Sequence, residues 1–137
     1  PGNVEKRVEC GAMFLMQALE SGIAPEDIYL DPIILPVNVA PKQPVNVIEA
    51  ITQLKIVNDP PPHFILGLSN VSQKCLMTHL LNRTYLVMAI AAGLDSAIMD
   101  AADKDLVEAA VSAEVLMEKH LYSDDYLKAW RMQKGIA

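Results

Sequence analysis

Three short apolar runs fix what this chain can fold into: IYL at 28–30, HFILGL at 63–68 and SAIM at 96–99. Each is closed by turn-forming or polar residues, namely Asp31 and Pro32, then Ser69, Asn70 and Ser72, then Asp100. Between them lie segments of helical periodicity. Val47, Ile48, Ile51 and Leu54 share one face behind Pro44, which suits a helix start. Leu80, Leu81, Thr84, Val87, Met88 and Ala91 predict the next helix, stopped at Gly93. Upstream, Val8, Ala12, Leu15 and Leu19 predict a helix ending near Gly22. Downstream, Asp103 is placed to cap a helix whose face is Leu106, Val107, Ala110, Ala113 and Met117, and residues 122–130 read as a short closing helix. Pro60, Pro61 and Pro62 break any regular element. Residues 33–40 are apolar but carry Pro36 and Asn38, and read as a partly buried loop.

Strands alternating with helices of this length require right-handed crossovers and a parallel sheet, which places the chain in the α/β class. The strands recur about every 30 to 36 residues, near the one-eighth share of a (β/α)8 barrel of ~250 residues. Three strands cannot close a barrel. The pattern therefore leaves three architectures: part of a longer barrel, a small open α/β domain, or a barrel completed by another chain. No repeat in the sequence accompanies the period, which argues against a solenoid.

The chain of 137 residues is long enough for one domain, and 52% hydrophobic with 20% charged residues is a globular composition. A net charge of -6 argues against a duplex nucleic-acid binder, whose phosphate contacts need a basic face. Cys10 and Cys75 form no CxxC or CxxH pair, so neither a disulfide framework nor a zinc site is expected, and a reducing cytoplasm is the expected location. The longest apolar run, near residues 86–94, is too short to span a bilayer, and no basic segment precedes an apolar stretch at the amino end. No GxGxxG, Walker A, GxSxG or HExxH motif occurs.

The chemistry gathers at the strand ends, where parallel α/β architectures bind ligands. Asp31 follows the first strand, Ser69 and Asn70 the second, and Asp100 the third. Aspartate and asparagine also favour turns for their own sake, and for any one of them that is the simpler reading. Asp31 and Asn70 together favour a site. A carboxylate at Asp31 can accept two hydrogen bonds from an amino-pyrimidine edge, and a carboxamide at Asn70 can donate or accept. Neither is a nucleophile, so the pattern reads as recognition and polarisation. His63, His79 and His120 lack metal-ligand spacing and read as surface or capping residues. The methionines read as core, and Ser123, Asp124 and Asp125 as a helix start.

At these same strand ends the sequence resembles a known family. IYLDPIILPVNVA at 28–40, ILGLSNVSQ at 65–73 and LLNRTYLVMAIAAGLDSAIMDAADKDL at 80–106 are similar to methyltetrahydrofolate:corrinoid/iron-sulfur protein methyltransferases. The likeness runs over nearly the whole chain and implies the carboxyl-terminal part of a pterin-binding (β/α)8 TIM barrel, with residues 1–137 forming a single partial barrel domain and the upstream strands outside it. It implies that Asp31 binds the pterin ring and that Asn70 is the catalytic asparagine that reaches the methyl-bearing N5. Gly67, Ser69 and Gln73 match positions lining the same pocket, and Ile98 an apolar wall. Asn82 and Arg83 belong to a family motif and read as buttresses of the loop. Where the family often has Arg-Pro this chain has Thr78 and His79, and where it usually continues with polar Gln, Asp and His this chain has Pro41, Lys42 and Gln43.

The resemblance implies methyl transfer from N5-methyltetrahydrofolate to the Co(I) of a corrinoid carried by a partner protein, so that no metal is expected on this chain itself. It also implies a homodimer. Two other readings stand beside it. A dihydropteroate synthase-like pterin enzyme is disfavoured because the GLSN segment lacks the expected lysine and no arginine follows the last strand closely. A non-catalytic assembly module is the reading from a different class, and an incomplete pocket is expected to bind weakly on its own.

Overall fold

The computed structural model describes residues 2–119 and 125–135. Helix α1 (Val4–Glu20) starts at Asn3, whose side chain accepts a hydrogen bond from the Lys6 amide at 3.0 Å. Arg7, Gly11 and Leu15 form its buried stripe, while Val8 and Ala12 pack against the core less fully. Strand β1 (Tyr29–Leu30) follows, then α2 (Gln43–Leu54), with Pro44 in its first turn and Val47, Ile51 and Leu54 buried as the periodicity requires. Strand β2 (His63–Gly67) emerges from the triple-proline segment. Helix α3 (Thr78–Ala92) ends at Gly93, whose φ of 115° supplies the left-handed residue that closes the helix. Strand β3 (Ser96–Ile98) and α4 (Lys104–Leu116) complete the packed body. Helix α5 (Asp125–Lys134) covers part of the expected closing helix; Tyr122, Ser123, Asp124 and His120 lie outside the described residues.

The three strands are all parallel, in the order β1-β2-β3. Neighbours in sequence are neighbours in the sheet, so right-handed crossovers put α2 and α3 on the same face. The burial pattern agrees. Phe64 and Leu66, alternate residues of β2, are fully buried among Val47, Ile51 and Leu54 of α2 and Leu86, Ala89 and Ile90 of α3. Leu30 and Ala97 sit opposite them in register and share their face. The other face carries Tyr29, His63, Ile65, Gly67, Ser96 and Ile98, none of them buried; Tyr29 and Ile98 are exposed. A three-stranded parallel sheet with both crossover helices on one face is compatible with an arc of barrel wall.

Two helix faces differ from expectation. Helix α3 buries Tyr85, Leu86, Ala89 and Ile90, while Leu80, Thr84, Val87, Met88 and Ala91 are left exposed. Its last two turns are apolar on every side, so periodicity does not choose the inward stripe; the strands do. Helix α4 buries Leu106 and Ala113, but Met117 falls at its end and is exposed.

At the entry end of the strands one carboxylate ties three elements. Asp95 Oδ2 accepts from Lys55 Nζ at 2.7 Å and from the Phe64 amide at 2.8 Å. Lys55 also donates to the Pro62 carbonyl at 3.2 Å and lies over the Phe64 ring. His63 Nδ1 stands 3.4 Å from Asp95 Oδ1, an ion-pair distance without hydrogen-bond geometry, and its ring stacks on Tyr29. His63 is thus a packed sheet residue and not a surface cap. Partial burial pushes the Asp95 carboxyl up, but the hydrogen bonds from Lys55 and the Phe64 amide, with the Lys55 charge and His63, outweigh it and hold the carboxyl below its ordinary range.

Two outcomes follow from this packing. Leu66→Ala removes a fully buried side chain and should lower unfolding stability by about 2–5 kcal/mol in urea titrations. Because folding depresses the Asp95 pKa, its contribution is present above the unfolded value near pH ~4 and is lost as pH falls through the lower folded value. Asp95→Asn should therefore flatten the fall of Tm on acidification from pH ~4 down to the lower folded value, and an unchanged slope across that window in differential scanning calorimetry would refute the assignment.

Candidate functional site

The exit ends of the strands carry two loops that touch. The loop after β1 reaches the turn after β2 through the Val37 amide, which donates to the Val71 carbonyl at 2.9 Å, and through Asn38 Nδ2 to the Lys74 carbonyl at 3.5 Å. The expected loop at 33–40 is therefore real, and half of its role is to brace the second loop.

Asp31 stands directly after β1 and is exposed. Its Oδ1 accepts from the Ile33 amide at 2.8 Å, closing a turn on the residue two further on. Asp100 does the same with the Ala102 amide at 2.9 Å. The turn-forming reading of both aspartates is thus correct for one oxygen each, and leaves Asp31 Oδ2 without a partner among the described residues. Ile33 has φ 58°, a left-handed conformation that a β-branched residue rarely adopts.

Beneath this turn lies Arg7 of α1, only 4% exposed. Its Nε donates to the Pro32 carbonyl at 2.7 Å, and its Nη2 to Gln43 Oε1 at 2.6 Å and the Ile33 carbonyl at 3.4 Å. Gln43, also buried, donates in turn to the Gly2 carbonyl at 3.2 Å. Burial pulls the Arg7 pKa down, against the neighbouring Tyr85, whose phenol burial pushes well up; the Tyr85 hydroxyl donates to the Pro44 carbonyl at 2.9 Å. Sequence reasoning missed Arg7 and Gln43. The available signal was the stripe Arg7, Gly11, Leu15 at helical spacing, where an arginine ordinarily reads as solvated.

Asn70 lies in a 3-10 turn, Leu68–Ser72, that leaves β2 at Gly67. Its side chain is exposed and makes no hydrogen bond among the described residues. A Cβ at Gly67 would stand 3.1 Å from Asn70 Nδ2, so the missing side chain at 67 leaves the space in which the amide lies over the strand end. The turn is anchored from below by Leu68, Val71 and Ser72, all buried. Ser72 Oγ donates to Asn82 Oδ1 of α3 at 2.6 Å and stands 3.5 Å from the Ser69 carbonyl. Asn82 is thus a buttress of the Asn70 turn, whereas Arg83 pairs with Asp105 of α4 at 3.2 Å and His79 with Asp103 at 3.3 Å.

The structure groups the expected site residues in two sets. Gly67, Ser69, Asn70 and Gln73 gather at the end of β2, with Ile98 opposite Gly67 in the adjacent strand. Asp31 stands on the neighbouring loop and lines a cavity of about 540 Å³ between α1 and β1, together with Arg7, Cys10, Phe14, Tyr29 and Ile33. None of the other five lines that cavity. The polar groups offered at both places are hydrogen-bonding ones. No cluster of three or more metal-ligating side chains exists among the described residues, and none of their helices is long and apolar enough to cross a membrane.

No protein-family model matches the chain. Among curated proteins it is similar to the methylcorrinoid:tetrahydrofolate methyltransferase of Eubacterium limosum, with 28% identity over 134 residues. The match covers 98% of this chain and 49% of that protein, so the chain spans about half the length of the curated relative it matches.

The anchoring of the Asn70 turn can be tested directly. Asn82→Ala strands the buried Ser72 hydroxyl and should cost about 1–3 kcal/mol, whereas adding Ser72→Ala to it should restore part of that loss. Additive losses in a chemical-denaturation cycle would mean that the two side chains are not coupled.

Proposed function

We propose that this chain is part of a pterin-binding (β/α)8 barrel that transfers a methyl group between N5 of tetrahydrofolate and the cobalt of a protein-borne corrinoid. The observation that carries the reading is the unpartnered Asn70 amide, held over the end of a parallel strand by the gap at Gly67 and the buried Ser72–Asn82 pair. The name of the relative, a methylcorrinoid:tetrahydrofolate methyltransferase, supports the substrate pair. The three-stranded parallel sheet in sequential order is compatible with the barrel.

The corrinoid, held by its partner protein, supplies a Co(I) nucleophile for the methyl carbon. The rest of the chemistry falls to this chain. As the N5–methyl bond breaks, its electron pair stays on N5, which takes up a proton from solvent to leave as tetrahydrofolate and is a poor leaving group unless the developing charge is met. Asn70 Nδ2, donating to N5, meets it from a fixed position, and a fixed dipole needs no reorganisation as charge develops. Asp31 Oδ2 accepts from the amino-pyrimidine edge and holds the ring. Gly67, Ser69 and Gln73 line the pocket, and Ile98 forms an apolar wall.

The methyl donor in the proposed direction is N5-methyltetrahydrofolate. The reverse direction is the second reading, favoured by the relative's name, which puts the methyl group on the corrinoid at the start. The homodimer that the resemblance implies belongs to the proposal; Leu80, Val87 and Met88 of α3 are exposed apolar residues that such an interface would cover.

In the longest natural form of the protein, Asn70→Ala should lower kcat about 10²-fold with little change in KM. Asp31→Ala should instead weaken methyltetrahydrofolate binding. Stopped-flow assays with a corrinoid protein separate the two effects. Absence of methyltetrahydrofolate binding by the unsubstituted protein in isothermal titration calorimetry would end the proposal.

A further inference from the structure

We infer that Arg7 is the positioning residue for Asp31: its guanidinium holds the turn at residues 31–33, and with it the free carboxylate oxygen, in the geometry that ligand donors meet. The ligand's identity rests on the pterin reading above; the positioning rests on geometry alone.

Three observations carry it. Ile33 keeps a left-handed backbone although it is β-branched, and such strain persists only where the surroundings over-determine it. The groups that over-determine it are the Asp31 carboxylate on the Ile33 amide and the Arg7 guanidinium on the Pro32 and Ile33 carbonyls. The turn is therefore held at its amide side by the very carboxylate it presents, and at its carbonyl side by Arg7.

The second observation is that Arg7 is itself fixed. Gln43, the first residue of α2, accepts from Nη2 at 2.6 Å, so the guanidinium is clamped between α1, the turn and α2. A rigid planar fork reaching two adjacent carbonyls is a task that a lysine ammonium performs poorly.

Third, Arg7 Nη1 is buried without an acceptor among the described residues. A buried charged group with an unpaired donor is destabilising relative to an apolar side chain of similar size. Stability alone would not select arginine on this stripe beside Gly11 and Leu15. Control of the turn gives the position a purpose that packing does not.

The test uses Arg7→Met and Arg7→Lys, each alone and combined with Asp31→Asn. Hydrogen exchange at the Ile33 amide, read by NMR, reports the turn directly. Arg7→Met should speed that exchange about tenfold while the amides of β2 stay protected, and Arg7→Lys should fall between the two. Arg7→Met should also weaken methyltetrahydrofolate binding about tenfold, as supporting partners of a site residue do, but only when Asp31 is present. Equal weakening in both backgrounds, or an Ile33 amide that does not respond, would overturn the inference. Should Arg7→Met fail to fold, Arg7→Lys, which keeps the charge, decides by the same two readouts. Should the unsubstituted protein bind no methyltetrahydrofolate, the pterin reading fails and Ile33 exchange alone decides the role of Arg7.

Discussion

Strand β2 is paired on both edges, and the rest of the body is arranged by that fact. It pairs with β1 at His63 and Phe64 and with β3 from Ile65 to Gly67, and the Phe64 amide is taken by Asp95, which together fix the alternation of its side chains. Phe64 and Leu66 must then point to one face, and α2 and α3 must lie there to bury them. Each such side chain taken from water contributes about 1.5–3 kcal/mol, so the face cannot be exchanged for the other without losing the core. The same alternation sends His63, Ile65 and Gly67 to the other face, and so decides where a site can be.

The two ends of the strands divide the work. At the entry end Asp95 gathers Lys55 and the Phe64 amide into a compact charged tie, with His63 and Tyr29 stacked beside it. Every group there is engaged with another group of the fold, which is what a stabilising device requires. At the exit end the buried groups, Arg7 Nη1 apart, are engaged as well, but they support exposed ones that are not. Ser72 and Asn82 lie beneath the free Asn70 amide, and Arg7 and Gln43 lie beneath the half-used Asp31 carboxylate. Asp100 makes the same turn as Asp31 without a comparable buried support among the described residues, which separates a turn aspartate from one whose position is enforced.

Element order and parallel pairing were legible because they depend on local signals: apolar runs of strand length, the cap at Asp103, and the stops at Gly93 and the three prolines. The inward stripe of α3 was not legible, because a helix apolar on all sides carries no local record of which stripe meets the sheet. The strand-end residues were legible as a list, but their grouping was not. That Gly67 makes room for Asn70 depends on the 3-10 turn bending the chain back, and a one-dimensional pattern does not hold that bend. Arg7 was hidden for a related reason. Its partners lie 25 to 36 residues away, and an arginine in an exposed helix and one in a buried clamp read alike until the partners are placed.

The proposed site also bears on the direction of transfer. A hydrogen bond to N5 is of most use when the N5–methyl bond is partly broken, and that state is common to methyl leaving N5 and methyl arriving there. In the proposed role Asn70 would therefore lower the barrier in both directions by the same amount, and its geometry would not favour one of them. What can favour one is the difference in binding between methylated and unmethylated pterin, which falls to the contacts around the methyl group. Ile98 and Ile65, on the same face as Gly67, are the apolar candidates for that contact in this chain. Under the proposed function the net direction in a cell would then follow from the methylation state in which a corrinoid partner arrives.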